Sequence, residues 1–136
     1  MILAKPKEAL IKHIEKALKV FSYLRVCFPD ITEICEIPQF WENLFYAIFL
    51  HDFGKGAKGF QEELIDGKKW NYRHEILSSG FVSALELPEI DKNAIALADI
   101  THHKDIIELR EKYATFPKEN PGYERFQKKL SELNID

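Results

Sequence analysis

The chain has 136 residues, a length that predicts a single domain, residues 1–136, able to bury a hydrophobic core without disulfides. It is 46% hydrophobic and 30% charged, and no apolar run approaches the ~20 residues that a membrane span needs. The formal net charge of −3 argues against a protein that holds nucleic acid through a large basic surface, although bound cations or a partner could offset it.

The N-terminal segment has no apolar run after its lysines and is not typical of a signal peptide, which favours a cytoplasmic location. Cys27 and Cys35 match no zinc-binding spacing. We therefore expect two reduced, partly buried thiols, as is usual for a cytoplasmic protein.

The first predicted helix, about residues 5–27, carries apolar side chains at three- and four-residue spacing. His13 lies on this apolar stripe, so it is either a satisfied core residue or an inward-facing ligand. The second predicted helix opens at Pro38 and runs to about Asp52, where a glycine-containing segment follows. It is apolar nearly all round and is predicted to be the buried central helix.

Four further helices are predicted in the rest of the chain, and the alternation typical of β-strands is lacking. The expected fold is an all-α bundle of about five to seven helices. The four further helices cover about residues 60–65, 73–85, 88–103 and 123–133.

The pair His51-Asp52 ends the most apolar helix. An aspartate is costly to bury unless something pairs with it, and a cation bound by both side chains would remove that cost. The alternative is that Asp52 begins a solvated turn. Lys55 follows between two glycines, which let the backbone turn so that the amine could reach a phosphate at the site; otherwise it is a surface lysine. The segment lacks the P-loop pattern.

His102 and His103 stand near the end of another apolar helix, and His74 stands at a predicted helix start beside Glu75. Adjacent helix positions diverge by ~100°, so the two neighbouring rings serve one cluster only if the site lies between them or holds two ions. Asp52 is the candidate bridge between such ions. A solvated helix end is the alternative. Imidazole and carboxylate ligands favour Mn, Fe, Co, Ni or Zn over an oxygen-only Mg site.

Four segments occur in an order that resembles the HD nuclease domain of the CRISPR type I nuclease–helicase. A lone histidine lies in LIKHIEKAL, and an HD-x-GK motif with a Phe-Gln pair lies in FLHDFGKGAKGFQ. A His-Glu pair with a nearby serine lies in YRHEILSS, and a double histidine ends AIALADITHHKD. The resemblance covers about residues 8–105. HD-x-GK alone is shared by many HD phosphohydrolases, whereas the combination is much more specific.

The resemblance implies an HD-domain helical bundle and a metal-dependent nuclease that cleaves single-stranded DNA in CRISPR antiviral defence. Its partners would be a helicase, fused or separate, and an RNA-guided surveillance complex. Two divalent ions (Mn, Ni, Co, Fe or Mg) would activate a water molecule for attack on phosphorus, with Asp52 and Lys55 as catalytic residues. One ion would be held by His13, His51 and Asp52, and the other by Asp52, His74, His102 and His103.

The chain departs from the family at one ligand. The family has a further aspartate after the double histidine, on a later helix, and no motif surrounds any later acidic residue here. We therefore expect a truncated domain or the N-terminal part of a longer chain. Two alternatives remain: a general HD-type phosphohydrolase of nucleotides or phosphomonoesters, and a non-catalytic helical adaptor with a vestigial metal site. The later acidic residues considered are Glu108, Glu111, Glu119, Glu124, Glu132 and Asp136.

Overall fold

The computed structural model describes residues 1–103, 107, 109–110 and 121–133. These residues form an all-α bundle, as predicted, joined by short 3-10 turns at Phe53–Gly56, Phe81–Ala84 and Ser131–Leu133. No helix among them is long and apolar enough to cross a membrane. The helices are α1 Leu10–Cys27, α2 Ile31–Ile34, α3 Phe40–Leu50, α4 Lys58–Asp66, α5 His74–Gly80, α6 Glu89–Thr101 and α7 Pro121–Leu130.

A small antiparallel hairpin precedes the first helix, where helix was predicted from about residue 5. Strand β1, Leu3–Lys5, pairs with strand β2, Glu8–Ala9. Lys7 between them has a φ of 68°, a left-handed conformation that a right-handed helix cannot include. The predicted start of the first helix was therefore wrong. The chain forms a turn with positive φ at Lys7, and α1 begins only at Leu10.

Helix α3 packs against α1 and α6, and its buried side chains are Ala47 and Leu50. With Val82 and Ile95 they form the first hydrophobic cluster. The helix is less buried than predicted, since Phe45 keeps 36% of its surface exposed. The apolar residues run nearly all round α3, but neighbouring helices do not cover its whole circumference.

A second hydrophobic cluster joins the loop before α5 to the C-terminal helix. Ala57, Trp70 and Leu77 are buried here, and Phe126 and Leu130 of α7 pack against them. Helix α5 ends at Gly80, earlier than predicted, and continues only as the 3-10 turn. The short helix α2 was not predicted. Both cysteines are free as expected, but Cys27 is exposed, not partly buried.

The turn after α3 lies directly against the start of α5. The backbone N–H of Gly54 donates a hydrogen bond to Ser78 Oγ at 2.9 Å, and Ser78 is completely buried. A Cβ atom at Gly54 would collide with the carbonyl oxygen of His74. Glycine at this position therefore permits a backbone approach that brings the end of α3 next to His74.

Gly54→Ala should destabilise the protein by about 2 kcal/mol or more, because the α5 backbone must move to make room for the methyl group. Urea unfolding followed by circular dichroism measures the loss. Gly80→Ala is the matched control, since a Cβ there meets nothing within 4 Å. Equal stability of the two variants would contradict the close contact between the turn and α5.

Candidate metal centre

The carboxylate of Asp52 lies at the centre of a group of basic side chains. Only 1% of Asp52 is exposed. Its Oδ2 atom lies 3.1 Å from His13 Nε2, 3.3 Å from His51 Nε2 and 2.7 Å from Lys55 Nζ. Its Oδ1 atom lies 3.0 Å from His74 Nε2. Thus α1, the end of α3, the following turn and α5 each contribute one group to a single buried carboxylate.

Four histidine rings are oriented by a polar contact at Nδ1, which leaves Nε2 on the opposite edge of the ring. His51 Nδ1 lies 2.7 Å from the carbonyl oxygen of Ile48, and His102 Nδ1 lies 2.5 Å from that of Asp99. A carbonyl oxygen only accepts, so in these rings Nδ1 carries the proton and Nε2 of the neutral ring keeps a lone pair. This arrangement is typical of metal-binding histidines.

In the other two rings, Nδ1 contacts a carboxylate oxygen instead of a carbonyl oxygen. His13 Nδ1 lies 3.3 Å from Glu8 Oε2, and His74 Nδ1 lies 3.4 Å from Glu75 Oε2. Glu75 is itself buried and paired with Arg73. Sequence reasoning did not single out Glu8, whose position depends on the hairpin that was not predicted.

All six predicted ligands come together, in two groups whose ligand atoms lie within 4.8 Å of one another. The first group contains His13, His51 and Asp52, and the second contains His74, His102 and His103. The rings of His51 and His102 lie 5.4 Å apart, so the groups adjoin. The first group is partly or fully buried and could hold a metal ion.

The charges in this cluster shift the pKa values of its members. Burial alone would raise the pKa of Asp52, but contacts with His51, His74 and Lys55 outweigh it and hold that pKa far below its usual range. Burial opposes the charged form of His51, but the Asp52 carboxylate prevails and raises its pKa. Partial desolvation of the rings lowers the pKa values of His102 and His103, although both residues are exposed overall, and this favours their neutral, metal-binding forms.

Lys55 lies inside the site and not on the surface, with 6% of its area exposed. Its turn is tied to the hairpin by Gln61, whose side-chain amide donates to the carbonyl oxygens of Leu3 and Lys55. Phe60 covers the other side, its ring 5.4 Å from that of His74. The Phe-Gln pair seen in the sequence therefore supports the lysine and one histidine.

Asp99 is a buried acid that sequence reasoning missed. It lies on α6 with 1% of its surface exposed, and neither carboxylate oxygen has a hydrogen-bond partner among the described residues. Burial, with a further contribution from the Asp52 charge, raises the pKa of Asp99 to about 7, although the positive charge of His51 opposes this. The only signal in the sequence was an aspartate one helical turn before the double histidine.

The later acidic residues that the structure describes are not at this centre. Glu132 accepts hydrogen bonds from Trp70 Nε1 at 2.8 Å and from the backbone N–H of Gly59 at 3.0 Å. Glu124 is exposed. Four other candidates named above lie outside the described residues: Glu108, Glu111, Glu119 and Asp136.

The chain was compared with models of protein families, with curated proteins and with solved structures, and none of the three comparisons gave a significant match.

The donors fit a first-row divalent ion. When His74 Nε2 carries no proton, neither it nor Asp52 Oδ1, 3.0 Å away, makes a hydrogen bond within the described part of the chain, although both atoms are buried. Buried atoms with free lone pairs are costly unless they meet a partner, and a cation is a partner for both. Imidazole nitrogens combined with carboxylate oxygen suit Mn, Fe, Co, Ni or Zn.

Mn²⁺ affinity should fall as the pH drops from 8 to 5, by about tenfold or more, because protons compete with the ion for the imidazole nitrogens. His51 should protonate before His102 and His103, since its pKa is raised and theirs are lowered. Calorimetric titration of metal-free protein at several pH values measures this. An affinity that does not change over this range would contradict a histidine-rich site.

Asp99→Asn should stabilise the metal-free protein at pH 8 by roughly 2–4 kcal/mol. A carboxyl group whose pKa rises from 3.8 to about 7 on folding makes the native state less stable as the pH climbs between these values. The stability difference from wild type should therefore grow from pH 4 to 7 and then level off. Urea unfolding in EDTA across this range measures it.

Asp91→Asn is the matched control on the same helix. Asp91 is also buried, but its Oδ1 accepts a hydrogen bond from Asn43 Nδ2 at 2.7 Å, which an asparagine oxygen can still accept. A pH-dependent stability gain in this control, or none in Asp99→Asn, would contradict the account of Asp99 as a carboxylate without a partner.

Proposed function

We propose that this chain is an HD-type, metal-dependent phosphohydrolase, and specifically a nuclease that cleaves single-stranded DNA. The main support is the position of the Asp52 carboxylate, which has one oxygen beside His13 and His51 and the other beside His74. A carboxylate that meets two histidine groups through different oxygens suits a bridge between two ions. The second group is completed by His102 and His103.

Two bound divalent ions would activate a water molecule and offset negative charge on the phosphate. The chain's own residues supply the remaining requirements. Asp52 stays ionised at neutral pH because of its contacts with His51, His74 and Lys55. Lys55 keeps the carboxylate in place at 2.7 Å and brings a positive charge to the place where charge would develop on a phosphate.

The preference for DNA over a mononucleotide rests on the resemblance to the CRISPR nuclease–helicase group, with support from exposure. His102 and His103 are exposed, whereas His13, His51 and His74 are partly buried. With respect to the described residues, the centre is therefore accessible from the side of the double histidine, as a polymeric substrate requires. With a net charge of −3, the chain offers little electrostatic affinity for DNA by itself, so a helicase and an RNA-guided surveillance complex would hold the strand.

A general HD-type hydrolase of nucleotides or phosphomonoesters would use the same ligands, and a non-catalytic adaptor would use them for structure alone. Metal binding by the wild-type protein, together with the stability of the Asp52→Ala variant, tests the adaptor alternative. If wild-type protein binds no metal and the variant is equally stable, the metal centre is wrong. If metal binds but no phosphate ester is cleaved, the adaptor is favoured.

Purified protein should cleave single-stranded DNA with Mn²⁺, Ni²⁺ or Mg²⁺, and Asp52→Asn should lower the rate at least ~100-fold, because it removes the charge shared by both ligand groups. Lys55→Met should lower it less, by about tenfold, since it removes only one charge near the phosphate. Gel assays of labelled DNA measure the rates, alongside cyclic nucleotides and nucleoside phosphates.

Asp91→Asn serves as the control, because Asp91 lies on α6 outside both ligand groups and should retain wild-type activity. Circular dichroism checks that each variant is folded. Turnover of mononucleotides alone would overturn the nuclease proposal while leaving the phosphohydrolase class intact.

A further inference from the structure

One stripe of α6 faces α3 along most of its length. Near its start, Asp91 accepts a hydrogen bond from Asn43 of α3. One turn later, Ile95 packs in the cluster with Ala47 and Leu50. At its end, the His102 ring lies 5.4 Å from the His51 ring. The contacts advance along both helices in the same direction, from hydrogen bond to apolar core to metal centre.

Asp99 occupies the position in this stripe between the apolar core and the metal centre. It follows Ile95 by four residues and precedes His102 by three, spacings that place side chains on one helix face. Its backbone carbonyl oxygen holds the His102 ring. The His102 ring that this oxygen holds lies 5.4 Å from the His51 ring, so Asp99 lies in the same part of the molecule as the first ligand group.

This carboxylate has no structural partner that accounts for it. Both oxygens are buried and neither makes a hydrogen bond to any described residue, whereas the buried acids Glu75 and Asp91 are each paired. Glu75 is paired with Arg73, and Asp91 with Asn43. An unpaired buried carboxylate costs stability, so its presence calls for a positively charged partner.

We propose that Asp99 supplies the second carboxylate of the metal centre, acting on the ion next to His51. This inference rests on the proposed metal centre. The resemblance implied a second aspartate after the double histidine, whereas Asp99 lies before it, one turn upstream on the same helix. The first ligand group would then combine two histidines with two carboxylates, a harder set that favours Mn²⁺ or Fe²⁺ over softer ions.

Titration calorimetry of metal-free protein with MnCl₂ tests the proposal without an activity assay. Wild type should bind Mn²⁺, and Asp99→Asn should bind it about 10–100-fold more weakly. Asp91→Asn should bind like wild type. If Asp99→Asn binds Mn²⁺ with wild-type affinity and stoichiometry, Asp99 is not part of the centre.

Thermal unfolding provides a second measurement, in which Asp99→Asn should raise the melting temperature without metal but reduce the gain on adding metal. In EDTA, Asp99→Asn should melt at a higher temperature than wild type, but with added MnCl₂ it should gain less than wild type gains. A folding defect would lower both values. A gain equal to that of wild type would contradict the proposal. Asp99→Ser is measured in the same way should the asparagine variant fail to fold.

The two proposals fail in different ways. If wild type itself binds no Mn²⁺, the metal centre under the proposed function is wrong, and the role of Asp99 falls with it. If wild type binds Mn²⁺ and Asp99→Asn binds it equally well, only the role of Asp99 is overturned, and the centre formed by the histidines and Asp52 stands.

Discussion

The buried carboxylate of Asp52 is the constraint on which the rest of the site depends. An ionised carboxylate removed from water is tolerated only when charged or hydrogen-bonding groups surround it. Here those groups come from four different elements, with His13 on α1 and His74 on α5 at opposite sides of the carboxylate. The helices converge at this point, and the close approach at Gly54 is part of the same convergence.

The histidine rings are oriented before any ion arrives. Carbonyl oxygens of Ile48 and Asp99, and carboxylates of Glu8 and Glu75, hold the Nδ1 atoms, so the Nε2 atoms are left for a ligand. Ligands fixed in this way lose little conformational freedom on binding, which improves affinity. The small N-terminal hairpin contributes because it carries Glu8.

The same arrangement is a poor one for stability without a cation. Asp99 has no hydrogen-bond partner among the described residues, and its pKa is raised to about 7 mainly by burial. The contact with Asp52 raises the pKa of His51, which favours its protonated form. Protons and a cation therefore compete for these groups, so stability and metal binding are coupled through them.

The helical class, the six candidate ligands and the importance of His51-Asp52 followed from the sequence alone, because helical periodicity and motif spacing are local properties. Features that depend on which elements pack together could be learned only from the tertiary structure. It revealed the turn at Lys7, placed Lys55 against Asp52, and buried Asp99, whose backbone oxygen contacts His102. A short-range pattern cannot show that an aspartate will lack a partner, since its neighbours come from distant parts of the chain. The His51-Asp52 pair could thus be recognised as a motif in the sequence. Its surroundings were determined by the packing of α1, α3, α5 and α6.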